Sequence, residues 1–303
     1  MTLPLIASAI RLTVPILLAA LGGVFSERGG VVNIALEGTM IIGTFFGALG
    51  AYHYGPLAGA LCAILAGAGF ALIHAVVTVT FRVDQIISGV ALNLLAVGLA
   101  RFLNLLIFGV ATQSPGVSGF PQLSVPGLAG IPALASLTTG ISPLIPVTLL
   151  LVLGGQWLLL RTTFGLRLRA VGENPRAAES LGIAVYRMRY AGVLISGALA
   201  GLAGGYLALE QAHFYLEGMT QGLGFIALAA VIFGNWWPTG ALGAALLFGF
   251  FDALSLRVVA SAIPYQFVQS LPYVVTILVL AGFVGRSTPP AADGVPYTRG
   301  ETG

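Results

Sequence analysis

Nine stretches of this chain are apolar over roughly the 20 residues that a helix needs to cross a bilayer. They are residues 3–25, 31–51, 57–81, 85–109, 142–160, 190–209, 222–236, 239–256 and 266–285. Inside hydrocarbon the backbone must satisfy its own polar groups, and a run of such stretches does so as helices. The expected fold is therefore all-α: a polytopic transmembrane bundle of about nine spans (eight to ten) over residues 1–285. Residues 286–303 are expected to be a disordered tail. The seventh stretch is short and the second opens on a glycine pair, so neither is a standard span. Composition agrees: 57% of residues are hydrophobic and 8% charged, and the mean hydropathy is +0.99.

Lysine is absent, so the net charge of +3 is 13 Arg against 10 acidic residues. That charge belongs to loops, and no nucleic-acid-binding face is expected. Cys62 lies within an apolar run and has no second cysteine to pair with. The first run carries Arg11 and lacks a clear small-residue cleavage site, so it reads as a retained span.

Arginine in short loops stays on the cytoplasmic side. With nine crossings and the N-terminus outside, Arg28, Arg82, Arg161, Arg167, Arg169, Arg176, Arg187, Arg189, Arg286 and Arg299 all fall inside, and only Arg11, Arg101 and Arg257 lie toward the outside. The C-terminus is then cytoplasmic. Six of these arginines fall in residues 161–189, which mark the largest inner loop. Residues 110–141, with Pro115, Pro121, Pro126 and Pro132 among Gly, Ser and Thr, read as a long outside loop.

Residues 37–63 and 222–248 echo each other. Each is an apolar run, then a turn with aromatics and one proline (Pro56, Pro238), then a Gly/Ala ladder, and the two face opposite ways in this topology. Inverted repeats with interrupted helices are a transporter signature, the interruptions pointing to the substrate path; here they fall at 27–38 and 217–225. Resemblance by Gly/Ala composition alone is the bland alternative. Gly197, Gly201 and Gly205 are spaced for close helix packing and need no chemical role.

Catalytic residues are not expected. Without lysine there is no phosphate loop and no Schiff base. The three histidines have no metal-ligand spacing, and GVSGF (116–120) lies in the Pro-rich loop, not in a strand-to-helix elbow. Polar residues at membrane depth remain: Asn33, Glu37, Asn93, Arg101, Asn104 and Asp252. Such residues face a bundle interior or a water-filled cavity, either lining a path or bonding one helix to the next. Asn33, Glu37 and Asn93, with Gln221 and Phe225, are the path candidates.

ENPRAAESLG, within the arginine cluster, reads as a short helix: Asn174 caps it, Pro175 suits its first position and Gly182 stops it. Two turns are unstable alone in water and need a partner surface. On physical grounds a handle gripped by a cytoplasmic protein and a lid over the membrane face are equally good readings.

GLRLRAVGENPRAAESLGI resembles the cytoplasmic coupling loop of ATP-binding-cassette (ABC) importer permeases, in the family serving branched-chain amino acids, simple sugars and nucleosides. RGGVVNIALEGTMIIGTFFGALGA (28–51) resembles the nucleoside and simple-sugar branch. The resemblance also takes in FRVDQIISGVALNLLAVGL (81–99), and the chain starts at what looks like the second helix of longer members. It implies a multi-pass subunit of a bacterial-type plasma membrane, partnered by a second permease (as a heterodimer), two ATPase subunits and an extracytoplasmic solute-binding lipoprotein. ATP and Mg would reside on the ATPases, with no cofactor in this chain. Asn174, Pro175, Arg176, Glu179 and Gly182 would shape or contact the ATPase cleft. A branched-chain amino acid permease, an ATP-independent secondary transporter and a membrane scaffold stay open beside this reading.

Overall fold

The computed structural model describes residues 2–123, 141–258, 274 and 287–299. Its elements in order are α1 (Thr2–Arg28), α2 (Leu36–Tyr54), α3 (Pro56–Ala75, extended by a π turn Val76–Thr80), α4 (Gln85–Phe108), α5 (Leu144–Arg161), α6 (Thr163–Glu173), α7 (Pro175–Ser180), α8 (Val185–Tyr206, extended by a π turn Leu207–Ala212), α9 (Leu223–Phe233) and α10 (Pro238–Val258). Among the described residues the extended pairings are two isolated antiparallel bridges, Gln113 with Leu216 and Leu123 with Ile141.

Six helices among the described residues are long and apolar enough to cross a membrane: Leu3–Arg28, Pro56–Thr80, Gln85–Phe108, Leu144–Arg161, Val185–Ala212 and Pro238–Leu256. Nine windows were expected. The second is a helix of 19 residues that starts only at Leu36, because residues 29–35 are not helical. The seventh is α9, whose 11 residues rise about 16 Å, roughly half the hydrocarbon thickness. The ninth, 266–285, lies outside the described residues. The two members of the internal echo share a helix–turn–Pro–helix order but not length, α2 having 19 residues and α9 having 11.

The core is built around α8, which packs against α1, α2 and α3. Glycines let the backbones touch on three sides: Gly192 lies on the Phe25 carbonyl of α1, Gly204 on the Met40 carbonyl of α2, and Gly201 on the Ala63 carbonyl of α3. Packing that close replaces the hydrophobic drive that lipid cannot supply between helices.

Residues 287–299, expected as part of a disordered tail, instead lie against the arginine-rich end of the bundle. Ala292 N–H donates to the Gly172 carbonyl at 2.8 Å, Arg189 Nη1 to the Val295 carbonyl at 2.9 Å, and Tyr297 is buried. Residues 110–123 of the long loop are tied to the chain beyond α8, with Ser114 N–H donating to the Tyr215 carbonyl at 3.0 Å and Phe120 N–H to Glu210 Oε1 at 2.8 Å. The rest of that loop, 124–140, lies outside the described residues.

Candidate coupling face and translocation path

At the arginine-rich end, α6 starts on Thr162, whose hydroxyl accepts from Gly165 N–H at 3.2 Å. Glu173 ends that helix, and Asn174 turns the chain into α7. Asn174 Oδ1 accepts from Ala177 N–H at 3.0 Å with Pro175 in the first turn. Gly182, at φ +79°, closes the helix in the left-handed region that glycine enters without strain. Ile183 N–H then returns to the Ala178 carbonyl at 3.0 Å. Ala178 is buried and holds α7 down, Arg176 is exposed, and Leu181 stands 80% exposed at the tip.

Beside α7 runs a groove of about 430 Å³ lined by Glu179, Gly182, Tyr186, Arg187, Tyr297 and Arg299. Two of its lining residues, Tyr297 and Arg299, belong to the 287–299 segment, which reaches α6, α7 and the turn between α9 and α10. Thr288 N–H donates to Asn235 Oδ1 at 3.0 Å, Ala291 N–H to Glu173 Oε2 at 3.2 Å, and Arg299 pairs with Glu179 at 3.3 Å. Arg28 joins this network at the end of α1: Nε donates to the Trp236 carbonyl at 2.7 Å, and the guanidinium stacks 4.2 Å from the Trp237 ring centroid. The neighbouring Glu27 accepts from the Trp236 indole N–H. Asn235 and Trp236 are held at φ 52° and 56°, a costly conformation for such residues.

Asp293 sits in this segment. Burial pushes its carboxyl up to about 7, against the Gly294 amide bond and the Arg189 guanidinium, which favour the ionised form. Sequence reasoning used Arg28 only for topology and within a motif, read Glu173 only as the start of the coupling-helix stretch, and passed over Asn235, Asp293 and Tyr297. Only Tyr297, the one aromatic among residues 286–303, carries a signal that this stretch packs.

The two predicted interruptions meet in the bundle. Between α1 and α2 the backbone groups of residues 31–38 find side chains in place of helical partners. Gln85 Oε1 accepts from Val32 N–H at 2.6 Å. His74 Nε2 lies 3.0 Å from the Val32 carbonyl, with its Nδ1 2.9 Å from the Ser88 hydroxyl. Asn93 does two tasks: Oδ1 accepts from Gly38 N–H at 2.7 Å and Nδ2 donates to the Ile34 carbonyl at 3.0 Å. Asn33 Nδ2 donates to the Ser196 hydroxyl at 2.9 Å, and its buried Oδ1 has no partner among the described residues. Glu37 bridges to the second interruption. Its Oε1 accepts from the Thr220 hydroxyl at 2.6 Å and Gly222 N–H at 3.0 Å, and its Oε2 from Gly224 N–H at 2.7 Å. The carboxylate thus neutralises the positive end of α9.

The path candidates therefore divide. Asn33, Asn93 and Glu37 converge on one joint, and Asn93 and Glu37 have their polar atoms engaged by backbone. Gln221, at φ 47°, lines a separate cavity, and Phe225 stands 49% exposed on α9. The other polar residues of α4 have separate partners: Asn104 Nδ2 donates to the Val110 carbonyl at 2.6 Å, closing the end of the helix, while Arg101 lies 3.5 Å from Glu217. Among the described residues no group of three His, Cys, Asp or Glu side chains is placed to hold a metal.

The chain is 46% identical over 301 residues to the guanosine ABC transporter permease protein NupQ of Bacillus subtilis, covering 95% of this chain and 94% of that protein. It is 42% identical over 311 residues to the nucleoside ABC transporter permease protein NupC of Lactococcus lactis subsp. cremoris, covering 97% and 96%. Among solved structures, an ABC transporter of metal-chelate type in an inward-facing conformation matches 92% of this chain and 85% of its own, with a TM-score of 0.51 at 17% identity; that likeness is one of fold alone. The family profile described as branched-chain amino acid transport system / permease component matches residues 5–281. An interrupted, glycine-packed helical bundle with a short exposed helix at its arginine-rich end, matched by one profile over nearly its whole length, places this multi-pass membrane protein in the family of branched-chain amino acid transport system permease components.

Proposed function

We propose that the chain is the membrane-spanning permease subunit of an ABC importer for nucleosides. The observation that carries this is 46% and 42% identity to permeases named for guanosine and nucleosides, spanning at least 94% of every chain compared. It favours nucleosides over branched-chain amino acids, although the family takes its description from the latter. Against an ATP-independent carrier, Glu37 already accepts three protein hydrogen bonds and has little capacity left for a coupling ion.

In this reading the N-terminus is outside and α7 faces the cytoplasm. Some nine spans arranged as an inverted repeat enclose the path, with the undescribed 266–285 window as the last. Asn174, Pro175, Arg176, Glu179 and Gly182 shape the handle, and Leu181 projects from it into a cleft of an ATPase subunit that carries ATP and Mg. A second, unlike permease subunit completes the path, and an extracytoplasmic binding protein delivers substrate; both follow from the family resemblance. Asn33, Gln221 and Phe225 stay as path residues, whereas Glu37 and Asn93 hold the joint that lets the path change shape.

The test is co-purification of the chain with its ATPase from membranes. Leu181→Asp changes one exposed side chain, and Gly182→Arg meets open space but strains the left-handed turn by roughly 1–2 kcal/mol. Both variants should insert normally and lose ATPase association and uptake of labelled guanosine. Wild-type association and uptake in both would overturn the assigned handle.

A further inference from the structure

Between α1, the π turn after α8, the start of α9 and α10 lies a cavity of about 230 Å³. Eight of its eleven lining residues are apolar, Ile16, Ile226 and Phe248 among them, and the three polar ones are Gln211, Gln221 and Asp252. Asp252 stands 14 residues into α10 from Pro238, about 21 Å along the helix, so the cavity occupies the half of the bundle away from the arginine-rich end. The Asp252 carboxylate has no hydrogen-bond or ion-pair partner among the described residues; beyond the backbone bonds of its own helix, the residue accepts from the Ser255 hydroxyl at its backbone carbonyl, at 2.7 Å. A carboxylate at membrane depth with no partner is costly, and such residues mark substrate or ion pathways.

The lining says which ligand. A carboxylate accepts two donors side by side, and the Gln211 amide offers one donor group and one acceptor. An apolar majority suits a flat ring with apolar faces and a polar edge. A free sugar, with hydroxyls all round its ring, would leave several of them unsatisfied here. The volume lies below the roughly 300–1,000 Å³ of pockets that enclose a whole drug-sized ligand, so it fits one ring system and not an entire nucleoside. Resting on the reading of the chain as a nucleoside permease, we propose that this cavity is a transient subsite for the base of the passing nucleoside, in which Asp252 accepts from the paired ring and exocyclic N–H donors of a guanine-type edge. Gln211, in the same cavity lining, meets a remaining heteroatom. Asp252 is thereby a specificity-determining residue on the outer half of the path.

The experiment is uptake of tritiated guanosine, adenosine and 2′-deoxyguanosine by cells carrying Asp252→Asn or Asp252→Glu in place of the wild-type chain, with membrane levels and ATPase association measured alongside. Asp252→Asn is expected to lower guanosine and 2′-deoxyguanosine uptake tenfold or more and adenosine uptake threefold or less, with Asp252→Glu recovering part of the loss. Unchanged guanosine uptake overturns the subsite. So does an equal fall for all three substrates, which marks a structural role, and so does loss confined to the two ribonucleosides, which puts the contact on the ribose. Failure of wild-type cells to take up any nucleoside through this chain would instead sink the permease reading itself, so the two failures are distinct.

Discussion

Single residues at the joint carry consequences out of proportion to their size. Asn93 supplies both a donor and an acceptor to a backbone that has left the helix. Replacing it by alanine strands the Gly38 N–H and the Ile34 carbonyl where water is scarce, a loss of about 2 kcal/mol. Leu94 beside it is 72% exposed and serves as the control: Asn93→Ala should lower the midpoint of thermal unfolding in detergent by several degrees, and Leu94→Ala should leave it within about one. Asp293 sets a different expectation. Its folded pKa near 7 lies above the ordinary 3.8, so the acid form is the one the fold favours. The stabilisation is complete below the ordinary value and is lost as pH rises through about 7. Hydrogen exchange across residues 287–299 should therefore quicken between pH 5 and 8, beyond the intrinsic rate change, and Asp293→Asn should flatten that extra dependence. An unaltered profile in the variant would assign the pH effect to other groups facing the segment, Glu27 and Arg189 among them.

At the level of elements, what the sequence made legible was whatever local chemistry decides. Asn174, Pro175 and Gly182 specified α7 because a cap, a first-turn proline and a left-handed stop act within a few residues of each other. The glycine pair at 29–30 flagged the interruption before α2. Tertiary partnership was not legible: Glu37 reads as a path carboxylate until Thr220, Gly222 and Gly224, more than 180 residues away, are found holding it. The same holds for residues 287–299, whose Pro/Gly-rich composition suggests disorder but whose backbone is claimed by Gly172, Glu173 and Asn235. Glycine spacing in α8 was legible, yet only the packing separates contact glycines from idle ones. A Cβ at Gly204 would overlap the Met40 carbonyl, whereas one at Gly98 in α4 meets nothing within 4 Å. Gly204→Ala is expected to cost about 3 kcal/mol through overpacking, and Gly98→Ala to be neutral or to stabilise by up to about 1 kcal/mol through helix propensity. Unfolding in detergent read out by intrinsic fluorescence gives both signs, and a harmless Gly204→Ala would contradict the close approach of α8 to α2.

For the whole molecule, the arrangement links two ends through one body. The arginine-rich end bears α7, the groove and the 287–299 segment. The half away from it bears the Asp252 cavity. The joint where Asn33, Asn93 and Glu37 meet is built from the stretch between α1 and α2, from α2, α4 and α8, and from the start of α9. In the proposed reading a motion applied at α7 would reach the joint through α6 and α8, since Gly172 rests on the Arg28 backbone at the end of α1 and Gly192 on Phe25 one turn earlier. This transmission requires α7 to face the ATP-bearing side. The chain offers a clean probe, because Cys62 is its single cysteine. With Cys62→Ala as background, a cysteine at exposed Leu181 should resist an impermeant maleimide in intact cells and react once the membrane is opened. It should be shielded again when the ATPase subunits are bound. A cysteine at Tyr54, 84% exposed at the opposite end of α2, should react from outside in intact cells. Reversal of that pair would invert the topology and detach α7 from any cytoplasmic motor, whereas labelling of both from the same side would show that α3, α4 and α5, which lie between the two sites, do not all cross.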